Sequence, residues 1–272
     1  MKLKIISSRQ ICLTGLLLVL SVFSFAQDRL FTYTYQSTVL NKGQRELEIW
    51  NTLRTGREDY YTRLDNRSEF EIGMGKNLQT AFYLNLTSIT KTVKSNSAKL
   101  LETEHEISFS NEWKLKLLDP VANPVGLALY GEYGIGSSEY ELEGKLIVDK
   151  KIRDFTLAGN AVYELELKPG IENNETEWEK ETKNEYYLAL GYSFSPKFHI
   201  TMENAFKNVF EEGILNHSAL YSGLGIACVQ ENFWINFTVL PQVVSFKGET
   251  SSNLNLNEFE KIQIRLLFSY VF

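Results

Sequence analysis

Cysteine is nearly absent. Cys12 lies in an N-terminal apolar run, which leaves Cys228 alone in the rest of the 272-residue chain. A single cysteine closes no intramolecular disulfide and builds no thiolate metal cluster. Histidine is scarce too: the chain has three, His105, His199 and His217. A phospholipase-type barrel site needs a His and a Ser two residues apart, so that both side chains share one strand face. Here Ile107, Thr201 and Ala219 occupy those positions. The expectation is a protein without enzymatic activity, cofactor or metal. The remaining enzymatic alternative is an outer-membrane hydrolase whose partners come from different strands.

Long apolar runs are missing after residue 26, so no helix there is expected to span a bilayer. Strand-built membrane proteins escape that test, because lipid-facing and lumen-facing residues alternate. A positive excess is missing as well. Removing Lys2, Lys4 and Arg9 with the N-terminal segment takes the formal charge from −6 to −9. That argues against nucleic-acid binding.

The N-terminus reads as a secretory signal peptide. Lys2, Lys4 and Arg9 precede the apolar run Ile11–Phe25, and Ser24-Phe25-Ala26 places small residues for cleavage after Ala26. The run is shorter than the ~20 residues a spanning helix needs. The C-terminus carries the second signal. From Glu258 to Phe272 the even positions run Glu258, Glu260, Ile262, Ile264 and Leu266 and end in Phe268, Tyr270 and Phe272, a greasy stripe, while Lys261, Gln263 and Arg265 hold the opposite face. An apolar outer face, a polar inner face and terminal aromatics make the repeating unit of a transmembrane β-barrel. The aromatic end is also expected to act as the signal read by barrel-assembly machinery.

The same alternation recurs along the chain. Strands are expected near 45–54, 60–74, 78–89, 101–115, 125–135, 139–148, 155–168, 178–192, 198–210, 217–229, 233–244 and 258–272, about twelve in all. The predicted fold is all-β, a transmembrane antiparallel up-and-down β-barrel over residues 45–272. The signal peptide takes 1–26. Residues 27–44 are assigned to a periplasmic lead-in, which either enters the barrel mouth or forms a short extra strand. A secreted sandwich also alternates, but it would have to bury six or more carboxylates or leave Leu47, Phe109 and Phe206 wet.

The inner face is expected to be lined by Glu48, Arg54, Arg63, Arg67, Glu69, Glu71, Glu104, Glu106, Glu164, Glu166, Glu179, Glu181, Lys183, Glu185, Lys261 and Arg265. Carboxylates exceed cations in that set. An acid-rich lumen fits a passive channel or transporter for small hydrophilic solutes with mild cation preference. The alternative is a closed barrel with a structural or surface-binding role through its extracellular loops. Expected partners are outer-membrane lipids, the assembly machinery and small solutes, at the cell outer membrane.

Several stretches carry a family likeness: Leu40-Asn41-Lys42-Gly43 through Glu48 and Trp50, Glu69 and Glu71 with Gly73, Asn160 with Glu164 and Glu166, Trp178-Glu179, and Leu240-Pro241-Gln242. In these the chain resembles a family of uncharacterised Gram-negative outer-membrane β-barrels. The resemblance implies the barrel and its location, and brings no catalytic residues with it.

Overall fold

The computed structural model describes residues 29–95, 98–137, 139–172, 175–248 and 253–272. The expected signal peptide and its cleavage site lie outside them. Twelve strands run in order: β1 (Arg45–Thr55), β2 (Tyr61–Gly75), β3 (Leu78–Ser95), β4 (Ala98–Leu118), β5 (Gly126–Gly136), β6 (Tyr140–Ile152), β7 (Phe155–Glu172), β8 (Glu175–Ser193), β9 (Phe198–Glu211), β10 (Ile214–Val229), β11 (Phe233–Lys247) and β12 (Ile262–Val271). Each pairs antiparallel with the next, and β1 pairs with β12, with Ile49 opposite Phe268 and Leu53 opposite Ile264. The sheet closes into a barrel, so no edge is left unpaired, the condition for strands to cross lipid.

Alternation decides the faces. Phe82, Phe109, Leu188, Ile200, Leu266 and Phe268 all point outward and are exposed, where hydrocarbon takes the place of water. Buried residues include Glu46, Glu48, Glu69, Glu71 and Glu203, which belong to the inner face. The interior of this molecule is its polar side, the inverse of a soluble sandwich.

The turns sort the two ends. On the end that carries Arg45 and Phe272, β2–β3, β6–β7 and β10–β11 join by short turns, as periplasmic turns do. Gly75, Lys76 and Asn77 take the positive φ values of 83°, 54° and 63° that the first of these turns demands. At the other end, β3, β4, β7 and β8 are the longest strands, and β11 ends at Lys247 while β12 begins only at Ile262.

Several boundaries differ from expectation: β6 runs to Ile152 instead of 148, β10 starts at Ile214 instead of 217 and β11 ends at Lys247 instead of 244, and three further cases have a physical reason. Residues 169–177 were expected to be a polar loop, yet β7 continues through Pro169, which pairs with Trp178. The ladder extends there because alternation persists across the polar segment. Likewise β3 runs on to Ser95 and β4 begins at Ala98, within the stretch left between the expected strands 78–89 and 101–115. The last strand starts at Ile262 rather than Glu258. Phe259 and Glu260 are both buried, so strict alternation has already failed there, and a lipid-facing carboxylate at Glu260 is avoided.

Residues 27–44 were expected to be a lead-in that either enters the barrel mouth or forms a short extra strand, and 27–28 lie outside the described residues. The segment from Arg29 to Leu40 is not a strand. It lies inside the barrel, with Arg29, Leu30, Phe31, Thr32, Tyr33, Thr34, Tyr35, Ser37 and Leu40 all buried.

Candidate functional site: a plugged lumen beneath an outward vestibule

The plug is held through its backbone by inward side chains from around the barrel. On β9, Glu203 accepts hydrogen bonds from Thr32 N (2.8 Å), Thr32 Oγ1 (2.9 Å), Tyr33 N (2.8 Å) and Thr34 N (2.9 Å). Thr238 of β11 supports it with a hydroxyl at 3.2 Å. On β7, Asn160 accepts from Tyr35 N (2.7 Å) and donates to Tyr35 O (3.0 Å), as a paired strand would. Asp149 of β6 accepts from Ser37 N at 3.1 Å, and Gln79 of β3 accepts from Leu40 N at 2.8 Å. Asn236 of β11 donates to Arg29 O at 2.7 Å. The segment therefore crosses the lumen from the β9–β11 side to β3, within the half that holds Arg45 and Phe272. These bonds satisfy backbone groups that would otherwise be stranded away from a sheet.

Arg29 pins one end. Its guanidinium lies 4.3 Å from the ring centroids of both Tyr35 and Trp50 and 3.4 Å from Glu48. Desolvated cation–π contacts of this kind are worth about 2 kcal/mol. Arg265 covers Tyr33 at 3.8 Å and donates to Thr32 O at 3.1 Å. The apolar side chains of the plug fill space left by small inner residues. Leu30, Phe31 and Tyr35 pack with Ala128, Ala158, Ala189 and Ala227. A Cβ on Gly191 would sit 3.3 Å from Phe31, and one on Gly73 would overlap Asn41 O at 2.0 Å.

Above the plug is a vestibule of about 700 Å³, floored by Tyr33, Tyr35 and Trp50 and open at the long-hairpin end. Its walls are asymmetric. Arg54, Arg63, Arg67 and Arg265 project from β1, β2 and β12, and Glu141, Glu143, Glu164, Glu166, Glu181 and Glu185 from β6 to β8 on the opposite side. Over the whole lining, twelve carboxylates stand against nine Lys and Arg side chains. Pairing is extensive. Arg63 and Arg54 hold Asp65 at 2.6 and 2.9 Å, Lys145 holds Glu143 at 2.7 Å, and Lys183 binds Glu164 at 2.8 Å and also Glu166.

The expected inner-face residues divide into three groups. Arg54, Arg63, Arg67, Glu106, Glu164, Glu166, Glu181, Lys183, Glu185 and Arg265 line the vestibule. Glu48, Glu69 and Glu71 lie buried lower down, beside the plug. Glu104, Glu179 and Lys261 are not in the vestibule wall. Glu104, paired with Lys91 at 3.0 Å, and exposed Glu179 ride on the extended outer hairpins. Lys261 is exposed because it precedes β12. Phe268, Tyr270 and Phe272 face outward, with Tyr270 and Phe272 stacked at 6.3 Å.

Four of the plug anchors, Glu203, Asp149, Gln79 and Asn236, are residues the sequence did not single out; the fifth, Asn160, entered only among the stretches of family likeness, with no role attached. The three histidines stand apart. His105 is exposed on β4, His199 meets Ser193 Oγ at 2.8 Å near the β8–β9 turn, and His217 packs edge-on against Phe259 at 4.7 Å.

A closed twelve-stranded antiparallel sheet with an apolar exterior and a charged interior defines a transmembrane β-barrel. The chain belongs to a family of unknown function (DUF6662), whose model matches residues 23–272. No curated protein matches the sequence. Among solved structures, the chain is similar to the translocator domain of the autotransporter NalP from Neisseria meningitidis. The two share 11% identity over 96% of this chain and 95% of that one, with a TM-score of 0.54. It is also similar to the NanC porin, at 9% identity over 82% of this chain and 98% of that one, with a TM-score of 0.52. These likenesses establish the outer-membrane barrel fold.

Proposed function

We propose that the protein is an outer-membrane channel for small hydrophilic solutes, gated by its own N-terminal segment. The observation that carries this reading is the vestibule: a charged, outward-opening chamber ends on a floor made of residues 29–40. The floor is fastened mainly by backbone hydrogen bonds, and the hydroxyls of Tyr33, Thr34, Ser37 and Thr38 meet no protein partner. Such a segment can leave as a unit without unravelling the barrel wall. The excess of carboxylates along the lining favours cations, and the facing walls of opposite charge orient a dipolar solute crossing between them.

Export by the signal peptide, with cleavage after Ala26, delivers the chain to the outer membrane in this reading. Assembly there uses the aromatic C-terminal strand ending in Phe268, Tyr270 and Phe272. The second reading is a permanently closed barrel that binds ligands in its vestibule or through its outer loops, and the sealed floor favours it.

One experiment separates the two. Planar-bilayer conductance is compared for the mature chain and for a chain lacking residues 27–40. A gated channel gives rare openings in the first and steady, cation-selective current in the second. If the shortened barrel folds and stays silent, the channel reading is wrong.

A further inference from the structure

Beside the plug, β1 and β2 bring four glutamates together. Glu46 faces Glu71 and Glu48 faces Glu69 directly across the ladder, and all four are buried. Like charges placed opposite one another on a sheet destabilise it, and buried carboxylates without counter-charge are costlier still. The nearby cations are few and engaged. Arg29 spans Glu48, Tyr35 and Trp50, Arg67 pairs with Glu132 at 3.5 Å, and Lys114 lies beside Glu112 as well.

The arrangement has the attributes of a ligand set. Carboxylate oxygens of Glu46, Glu48 and Glu71 all lie within 4.8 Å of one another. Oxygens bound to one calcium-sized ion at about 2.4 Å can be no farther apart than about 4.8 Å. Each of the three is oriented by a donor on one oxygen. Trp234 Nε1 reaches Glu46 Oε1 at 2.8 Å, Trp50 Nε1 reaches Glu48 Oε2 at 2.7 Å, and Gln79 Nε2 reaches Glu71 Oε2 at 2.5 Å. Donors of that kind fix the aim of metal-binding carboxylates. The fourth glutamate supplies an independent observation. Glu69 is 1% exposed, its carboxyl meets that of Glu71 and stands against Glu48, and its Oε2 receives no N–H or O–H from the rest of the protein.

We propose that Glu46, Glu48 and Glu71, with the Glu69 carboxyl set against them, bind one hard divalent cation of the calcium class within the lower barrel. An all-carboxylate set without His or Cys selects against softer metals. Its dry setting disfavours magnesium, which keeps its waters. The bound ion would fasten β1 to β2 next to the anchor of the plug on Glu48.

Terbium luminescence tests this, because Trp50 and Trp234 touch two of the ligands and sensitise a lanthanide held there. The mature barrel, folded in detergent, should give tryptophan-sensitised emission saturating at one equivalent and displaced by calcium. The double variant Glu46→Gln/Glu71→Gln should lose it, and the single variant Glu69→Gln should weaken binding at least tenfold. Heat-modifiable electrophoretic mobility reports folding, and the single variant carries the test if the double variant fails to fold. The variant Glu141→Gln/Glu143→Gln, in the vestibule, should keep the signal. Absence of emission from the folded mature barrel, or emission that survives at β1–β2 substitutions and vanishes with the vestibule pair, would overturn the proposal.

Discussion

Replacing Glu203 by glutamine should unlatch the plug. The carboxylate gathers three consecutive backbone N–H groups, from Thr32, Tyr33 and Thr34, at 2.8–2.9 Å. An amide of the same shape leaves the wall of β9 unchanged but has one acceptor oxygen. Whichever way it turns, at least one of the three N–H groups loses its acceptor, which costs about 1–3 kcal/mol. The two remaining bonds lose their charge assistance, about 1 kcal/mol each. The closed arrangement is thereby weakened by about 3–5 kcal/mol, a hundred- to several-thousand-fold change in the ratio of closed to open plug. Single-channel recording reads this as open probability. Glu203→Gln should open far more often than the parent, at the conductance of the chain lacking residues 27–40. If the Glu203→Gln barrel folds and its open probability equals that of the parent, the backbone latch does not control passage.

Further consequences follow from neighbouring parts of the wall. A Cβ on Gly126 would approach Ser37 Oγ to 2.3 Å and Asp149 Oδ1 to 2.4 Å, so Gly126→Val should expel the plug near Ser37 and raise conductance without closing the vestibule. Phe109 and Ser108 are sequence neighbours on opposite faces. Phe109→Arg should cost about 2–4 kcal/mol of unfolding free energy in lipid, read by denaturant titration, whereas Ser108→Arg should leave that unchanged and shift the reversal potential toward anions. At the β4–β5 turn, outside the bilayer, backbone N–H groups of Val121 and Ala122 and the nearby Lys116 hold the Asp119 carboxyl below its usual value of 3.8. A depressed pKa stabilises the fold above 3.8 and ceases to do so as pH falls through the lower folded value. Asp119→Asn should therefore lower the melting temperature slightly at neutral pH, and the difference should vanish in strong acid.

The barrel was legible because lipid and lumen impose a period of two that local sequence carries unaided. Glu69, Glu71, Phe70 and Ile72 announce their faces within four residues. The charged vestibule wall followed from the same pattern. The plug was legible only as one of two options for residues 27–44, for a physical reason: Leu30 to Tyr35 alternate as a strand does, while what holds residues 29–40 is a set of single inward residues on β3, β6, β7, β9 and β11. Each anchor looks like ordinary lumen lining until the segment it binds is in place. One trace was present. The inner face of β5, with Gly126 and Ala128, is smaller than a solvated wall requires, and that is where the β5 side makes room for Tyr35 and Ser37. The motif residues Trp50, Gly73 and Asn160 also turn out to touch the segment 29–41.

Thiol accessibility at position 34 tests the central claim most directly. In a Cys228→Ser background, the variants Thr34→Cys and Ser108→Cys are folded into vesicles and exposed to a small, charged thiol reagent. A lumen closed by residues 29–40 predicts fast labelling at 108, in the vestibule, and labelling at 34 slower by orders of magnitude, because Thr34 is fully buried against Glu203. Equal, rapid labelling at both positions would contradict the account.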